Sequence, residues 1–587
     1  MSRHRFEVWA PYAERVEVVL AGGRRVTLAP ADHGDPSLQG WMAAEVAGVG
    51  AGDDYGFSLD GGDPLPDPRS GWQPHGPDGL SRLVDHGSFA WADSGWRGIH
   101  LPSSVFYEMH VGTFTPEGTF DAAVGMLDHL VDLGVDVVEV MPVAEFPGGR
   151  GWGYDGVDLF APHHAYGGPD GLKRLVDGCH RRGLAAVLDV VYNHLGPSGN
   201  YLAEYGPYFT DRYATPWGRA VNLDGPGSDQ VRRFFVDNAL HWLRNYHFDG
   251  LRIDAVHAIV DTSATHLLEQ LAAEVGRLAD AEGRSLFLIA ESDLNDPRIV
   301  RPPAVGGYGI DAQWSDDFHH AVHALLTGES DGYYADFGTL EDLRTALTGA
   351  YVYDGRFSSH RRRSHGRPAT GLAGSKFLGY LQNHDQVGNR AMGERSSALM
   401  TTGRLKVAAA LVLTAPFVPM LFQGEEWGAS TPFQYFTDHT DPDLGRAVSE
   451  GRRREFSSFG WDPASVPDPQ DEATFASSKL DWSERGQPAH LELLEWHKLL
   501  IRLRRTTADL SDGRLDRVGF EVVTDGCFTV HRGAVSVVCN LAAGPSRAPI
   551  GEPAKVLAQS DARCRLLEGS VELPPDSVMV LGSARPT

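Results

Sequence analysis

The sequence predicts an α/β protein in which a (β/α)8 TIM barrel is flanked by an N-terminal and a C-terminal β-sandwich. From about residue 101 to residue 505, apolar strands alternate with loops and amphipathic helices, which is the pattern of parallel βα units. Before and after this stretch, short runs of alternating apolar and polar residues indicate antiparallel sheets. The 587 residues far exceed the ~250–300 at which one hydrophobic core stops growing, so we expect three domains, at residues 1–100, 101–505 and 506–587.

The two sandwiches are predicted from strand-like runs that glycine- and proline-rich turns separate. Before residue 100 a Pro/Gly-rich linker follows the runs Phe6–Trp9, Val16–Leu20, Val26–Leu28 and Tyr55–Leu59. After Arg505 the same alternation returns in FEVVTD, CFTVHR, AVSVVCN and SVMVLG.

The barrel is predicted from eight strand candidates, the number that a TIM barrel requires. Between the first two, Thr119 is expected to cap one helix that buries Phe120 and Val131 and ends at Gly134. The aromatic stretch 195–227 is too long for an ordinary βα loop, so it should leave the barrel after the third strand. In chain order the strand candidates are FYEMH near Phe106, VDVVEVMP, AAVLDVVYNH, Gly250–Asp254, Leu286–Ala290, Ile310–Trp314, Phe377–Gln382 and Val418–Gln423.

The charge and the apolar pattern exclude several kinds of partner. A formal net charge of −26 without a basic patch argues against nucleic acids and anionic membranes, whose phosphates require clustered cations. No uncharged apolar run reaches the ~18 residues of a membrane-spanning helix, and the N-terminus lacks the features of an export signal. Four cysteines without metal or disulfide spacing fit a reducing compartment, so we expect a cytoplasmic protein.

Four predicted strand ends carry polar residues where a βα barrel places its reactive groups. They are DVVYNH (Asp189–His194), DGLRIDAVH (Asp249–His257), LIAES (Leu288–Ser292) and LQNHDQ (Leu381–Gln386). In this order and on these strands, the four segments resemble the signature regions of the α-amylase superfamily of glycoside hydrolases. The resemblance implies that Asp254 is a nucleophile, that Glu291 is an acid/base, and that Asp385 stabilises the transition state.

Hydrolysis of a glycosidic bond with retention of configuration requires a set of carboxyl groups such as this one. One ionised carboxylate attacks the anomeric carbon, and a protonated carboxyl ~5–5.5 Å away donates to the leaving oxygen. Arg252 lies on the same strand face as Asp254, where its cation favours the ionised form. Glu291 follows the apolar run LFLIA, and burial favours the protonated form that a general acid needs. A single aspartate after a strand is more often a helix cap, and Arg252 with Asp254 can be a structural ion pair, but the four contexts together favour catalysis.

The resemblance also implies residues that bind substrate, namely Arg252 and four aromatic or histidine side chains. His194 and His384 would hydrogen-bond hydroxyls of the sugar at the cleavage site, and Tyr154 would stack beneath that sugar. His257 would lie near the leaving-group subsites. Each has a structural alternative, such as a histidine satisfied within the core or an aromatic plug in the barrel mouth.

Neither a metal nor a cofactor is expected. Asp189 and Asn193 occupy positions that calcium-dependent members of the superfamily use for, or near, a calcium site. The remaining oxygen ligands cannot be assembled from this sequence, so we expect no essential metal.

Within the superfamily, three segments resemble the trehalohydrolase family: AESDLNDPRIV, YGIDAQWSDDFHHAVHALLTGESDGYYADFG and LFQGEEWGASTPFQYFTDH. The resemblance implies that the substrates are maltooligosyltrehalose and related α-glucans, cut at the α-1,4 bond next to the terminal trehalose. A functional pairing with the maltooligosyltrehalose synthase that makes this substrate is implied as well. Glu425, Glu426, Trp427 and Tyr435 are candidates for the wall of a trehalose pocket, with a structural loop core as an equal alternative.

Two other functions are open at this point. A glycogen branching enzyme has a similar N-terminal module, here FEVWAP, although AESDLND departs from its usual context after the glutamate. A glucan-binding protein without activity would explain the fold, but it has no need of Asp254, Glu291 and Asp385 together.

Overall fold

The computed structural model describes residues 3–31, 34–35, 38–457, 465–551 and 554–583. The outer ends of the predicted terminal modules, residues 1–2 and 584–587, lie outside this description. Eight parallel strands close into a barrel, and separate antiparallel sheets precede and follow it. The predicted fold class is therefore confirmed.

Two antiparallel sheets form the N-terminal module. Phe6 of one sheet packs on Tyr55 of the other, with ring centroids 4.9 Å apart. The Trp9 ring also packs on Tyr208, 5.4 Å away, which joins the module to the excursion after the third barrel strand. In sheet order the strands are Arg3–Trp9, Trp41–Ala47 and Ala29–Pro30 in the first sheet, and Arg25–Thr27, Val16–Leu20, Asp54–Leu59 and Ser81–Arg82 in the second.

The barrel strands pair in parallel with their neighbours in the chain, and the eighth pairs with the first. Strand six begins later than predicted because the Ile310 N–H donates to the Ile299 carbonyl of a loop. Strand seven ends early because Asn383 already caps the next helix through the Gln386 N–H. In order the strands are Phe106–Met109, Val137–Val140, Ala185–Val190, Gly250–Ile253, Phe287–Ala290, Ala312–Trp314, Phe377–Gly379 and Val418–Phe422.

Helices surround the barrel and fill its connections. None of those in the described part of the chain is long and apolar enough to cross a bilayer. The α-helices are Val111–Phe114, Phe120–Val124, Leu127–Leu133, Gly168–His180, Leu202–Tyr205, Ser228–Asn245, Leu267–Glu282, Asp316–Thr327, Leu340–Gly349, His384–Gly388, Ser396–Leu399, Thr402–Thr414, Pro442–Ser457, Glu472–Ser477, Pro488–Thr506 and Ala508–Ser511.

The helix predicted after Thr119 is divided in two. Thr119 caps the first part as expected, since its side chain accepts from the Ala122 N–H. The chain then breaks at Gly125, a poor helix former, before a second helix runs to Gly134. The predicted burial of Val131 is wrong: it is 43% exposed, because the second helix buries the face formed by Leu127, Leu130 and Leu133 instead.

Three β-hairpins extend from the barrel loops. The second of them forms part of the predicted excursion, residues 195–227. The hairpins pair Ala144–Glu145 with Asp158–Pro162, Phe209–Thr215 with Gly218–Val221, and Asp354–Ser358 with Arg363–Gly366.

The C-terminal module also consists of two antiparallel sheets. Val538 and Met579 of the larger sheet share an apolar cluster with Ala548 and Val571 of the smaller one. In sheet order the strands are Val518–Thr524, Cys527–Arg532, Val535–Asn540, Ser577–Ser583 and Ala554–Gln559 in the larger sheet, and Ser546–Pro549, Ser570–Leu573 and Arg565–Leu567 in the smaller.

Candidate active site

A pocket of about 460 Å³ lies at the carboxyl ends of the barrel strands. Side chains from the ends of strands three, four, five and seven meet in it, as do three from the loop after strand two. The predicted site residues in its lining are Tyr154, His194, Asp254, His257, Glu291, His384 and Asp385.

Arg252 lies beneath this pocket with no exposed surface. Its Nη1 donates to Asp189 Oδ2 at 2.7 Å and to Asp254 Oδ1 at 2.9 Å. Its Nη2 lies 3.4 Å from Glu291 Oε2, and the guanidinium carbon lies 4.1 Å from the Trp314 ring centroid. One buried cation thus holds three carboxylates. The prediction that Arg252 binds substrate is wrong, because Asp254 and Glu291 lie between it and the pocket.

The carboxylates around Arg252 do not ionise independently. Burial raises the pKa of Asp254 well above its usual value, Arg252 opposes that rise, and the charge of Glu291 adds to it. Burial likewise raises the pKa of Asp189 to about 6, again against the effect of Arg252. Like charges in one desolvated site favour a pair that shares a proton. The cluster therefore suits a reaction in which one carboxyl attacks and its neighbour donates a proton.

His384 is held as a cation by its neighbours. Its Nδ1 lies 2.5 Å from Glu108 Oε1, and its Nε2 lies 2.8 Å from the Tyr154 hydroxyl. That hydroxyl donates to Asp189 at 2.6 Å, so it accepts from His384. Burial opposes the charged ring, but the carboxylates of Asp385 and Glu108 outweigh burial and raise the pKa of His384 to about 9.

His194, in contrast to His384, is uncharged. Burial lowers the pKa of His194 to about 4, so its ring is neutral near pH 7. Its ring stacks on Trp217, with centroids 4.9 Å apart and planes at 10°. Trp217 is 46% exposed and lines the pocket from the Phe209–Thr215 hairpin. Trp217 was not among the predicted site residues, although the Pro-Trp-Gly turn in the sequence indicates an aromatic ring at a hairpin tip.

Comparison with known proteins identifies the family. The profile for the α-amylase catalytic domain matches residues 88–214. The malto-oligosyltrehalose trehalohydrolase of Arthrobacter ramosus is 53% identical over 93% of this chain and 94% of its own length. That of Rhizobium sp. (strain M-11) is 51% identical, over 98% and 97%. The chain belongs to the malto-oligosyltrehalose trehalohydrolase family.

A solved structure of the same fold is also similar to this chain over its full length. A Salmonella typhimurium protein assigned as an alpha amylase is 39% identical to the chain and superposes with a TM-score of 0.89. The match covers 99% of this chain and 98% of that one. The resemblance to the trehalohydrolase family within the α-amylase superfamily is thus confirmed.

Three residues predicted for the wall of the trehalose pocket lie outside the pocket. Glu425, Glu426 and Trp427 are at most 5% exposed and line no part of the pocket. Glu426 accepts from the Tyr107 hydroxyl at 3.1 Å and contacts His129 Nε2 at 2.8 Å. The prediction of a pocket wall is wrong for these residues, because they form a 3-10 helix that packs into the core instead.

The fourth residue predicted for that wall does line the pocket, together with two residues that were not predicted. Tyr435 lines the pocket, and the guanidinium of Arg452 lies 5.4 Å from its ring centroid. Arg452 comes from the helix Pro442–Ser457, which is distant from every strand-end segment in sequence. Trp152 lies two residues before Tyr154 and also lines the pocket. Arg452 had no sequence signal, whereas Trp152 shares the segment WGYDG with a predicted site residue.

Hydrogen bonds engage some of the candidate metal ligands, whereas neither side-chain polar atom of the buried Asn193 has a hydrogen-bond partner in the described part of the chain. Asp189 is bound to Arg252 and Tyr154, as described above. Among the described residues, Glu145, His163 and His164 bring potential ligand atoms within 4.8 Å of one another. The Ala165 N–H donates to His163 Nδ1, which places the ring proton on the Nε2 that faces Glu145.

The raised pKa of His384 predicts how the free energy of unfolding depends on pH. Its folded value of about 9 exceeds its unfolded value, so its contribution is complete below about pH 6.5 and is lost as the pH rises through about 9. The shift corresponds to about 3 kcal/mol of unfolding free energy. Denaturant unfolding of the wild type and of Glu108→Gln at about pH 6 and about pH 9.5 should show the larger loss in the wild type. Equal losses in both proteins would contradict the charged state of His384.

Proposed function

We propose that the chain hydrolyses the α-1,4 bond between a maltooligosaccharide and a terminal trehalose, with retention, and so releases trehalose. The proposed reaction type is supported by a pocket in which Asp254, Glu291 and Asp385 meet. Arg252 contacts the first two of these carboxylates from below. The substrate is supported by the names of relatives that are 51% and 53% identical over nearly their full length.

The three carboxylates take different roles in this proposal. The Glu291 carboxyl gives its proton to the glycosidic oxygen while Asp254 attacks the anomeric carbon, so trehalose leaves and a glycosyl ester forms. The Glu291 carboxylate then takes a proton from water, whose oxygen displaces Asp254 and restores both groups. Asp385 lies beside the positive His384, where its charge can stabilise the developing oxocarbenium ion.

The surrounding side chains would hold the sugar at the cleavage site. Tyr154 and Trp217 offer aromatic faces at the pocket, and sugar rings stack on such faces. His384 offers a charged donor and His194 a neutral ring, which suits hydroxyls that both donate and accept. His257 is exposed at the pocket beside the nucleophile strand, and we assign it to the leaving-group side.

We further propose that the reaction is cytoplasmic and follows a maltooligosyltrehalose synthase. The four cysteines are free and buried, which fits a reducing compartment. The substrate requires an enzyme that converts the reducing end of an α-glucan into a 1,1-linked trehalose.

Amide variants test the catalytic roles. Asp254→Asn and Glu291→Gln should each lower kcat by about 10³-fold or more, because each removes charge or proton chemistry at nearly constant volume. Azide should restore turnover of α-maltosyl fluoride to Glu291→Ala, since fluoride leaves without a proton and azide attacks the glycosyl ester without a base. Glu455→Gln is a matched control, because Glu455 lines the pocket rim with a side chain that is 54% exposed. Trehalose release and circular dichroism are measured together; wild-type activity in either amide variant refutes the assignment.

Two pentasaccharides test the substrate. Maltotriosyltrehalose should be cut at least ~100-fold more efficiently than maltopentaose, since two or three unmatched polar contacts cost roughly 1–3 kcal/mol each. The measurement is kcat/KM for both substrates, with products separated by chromatography. Equal values would indicate a general α-glucanase, and branched products from amylose would indicate a branching enzyme. Binding without turnover would indicate a glucan-binding protein.

A further inference from the structure

The backbone next to the nucleophile also orients the acid/base. We propose that Ala255 is a positioning residue whose N–H fixes the Glu291 carboxyl and leaves Oε1 as the oxygen that carries the catalytic proton. The inference rests on the proposed function, because it assigns a proton to the Glu291 of that reaction.

The hydrogen bonds between strands four and five show an extra residue at Ala255. The register Ile253↔Ala290 places Asp254 opposite Glu291. The Glu291 N–H donates to the Ile253 carbonyl at 3.0 Å, as a parallel ladder requires. A regular ladder would next bring the Ala255 N–H to the Glu291 carbonyl, but the Val256 N–H donates there, at 2.9 Å. Ala255 is therefore a bulge, and its N–H is free of the ladder.

The freed N–H is directed at the Glu291 side chain. Ala255 has φ 38° and ψ 51°, a left-handed conformation that residues with a Cβ seldom adopt. In this conformation its N–H donates to Glu291 Oε2 at 2.6 Å. Strained backbone of this kind persists when the surrounding structure requires it and is concentrated at functional sites. Here the conformation joins the residue after the nucleophile to the acid/base.

The two oxygens of Glu291 are consequently unequal. Oε2 accepts from the Ala255 N–H and lies 3.4 Å from Arg252 Nη2, so a proton there would face a donor and a cation. No residue in the described ranges donates to Oε1. The proton of the neutral carboxyl therefore resides on Oε1, which is free to meet the glycosidic oxygen. Because Asp254 and Ala255 share a peptide bond, a single stretch of backbone sets the position of both reacting carboxyls.

Two substitutions at Ala255 separate the backbone conformation from the side chain. Valine is β-branched and disfavours the left-handed region, so Ala255→Val should turn the N–H away from Glu291. Glycine adopts this region freely, so Ala255→Gly should keep the hydrogen bond. Ala350→Gly is the matched control, because Ala350 is a buried alanine with φ 67° at the end of the helix Leu340–Gly349. Both glycine variants should raise the Tm, by about 1 °C for a chain of this size.

The decisive readout compares two substrates. Ala255→Val should lower kcat on maltotriosyltrehalose by ~100-fold, the size of a general acid–base contribution. Its turnover of α-maltosyl fluoride in azide should fall less than ~5-fold, because fluoride leaves without a proton and azide needs no base. Ala255→Gly and Ala350→Gly should keep both activities within ~3-fold of the wild type.

Two outcomes overturn the inference. Full activity of Ala255→Val on maltotriosyltrehalose would show that the N–H does not position Glu291. Equal losses on both substrates would show a general disturbance of the pocket. Failure of the proposed function has a different appearance, since the wild type itself would then release no trehalose.

Discussion

The buried guanidinium of Arg252 is the interaction on which the pocket depends. It contacts Asp189, Asp254 and Glu291, and it packs on the face of Trp314. Without this cation three largely buried carboxylates would face one another, and an unpaired buried charge costs several kcal/mol. Arginine suits the position because its planar fork serves several acceptors and its pKa resists burial.

The same electrostatic balance makes one histidine of the pocket a cation and leaves the other neutral. His384 lies between Glu108 and Asp385, and their charge exceeds the cost of burial. His194 has an aromatic neighbour, Trp217, and burial lowers its pKa against the opposing effect of a backbone hydrogen bond at Tyr154. Two buried cations, Arg252 and His384, thus support a larger group of carboxylates. Because α-glucans are neutral, the site can devote its charges to the reacting atoms rather than to attraction of the substrate.

Much of the fold and the lower part of the site could be predicted from the sequence. Strand periodicity located all eight barrel strands, and strand ends such as those carrying Asp254 and Glu291 must converge in a closed barrel. The divided helix after Thr119 could not be predicted, since apolar spacing runs through Gly125 without marking the break. Periodicity reports which residues prefer burial, but not where a helix changes direction.

The rim of the pocket was less predictable, because loop residues reach it from distant parts of the chain. Arg452 lies on a helix far in sequence from the strand ends, and Trp217 reaches the pocket only through a hairpin. Glu426 and Trp427 followed a strand end, as site residues do, yet their short helix packs into the core. Sequence position after a barrel strand therefore predicted several site residues, but it did not exclude a residue whose side chain packs into the core.

We propose above all that Asp254 and Glu291 act as a retaining pair around one anomeric carbon. The most direct test is proton NMR of the maltotriose first released from maltotriosyltrehalose, recorded before mutarotation equilibrates the anomers. A double displacement through Asp254 gives the α-anomer first, because two inversions restore the configuration of the bond that was cut. Initial appearance of the β-anomer would mean that water attacks directly, and it would contradict the roles assigned to both carboxylates.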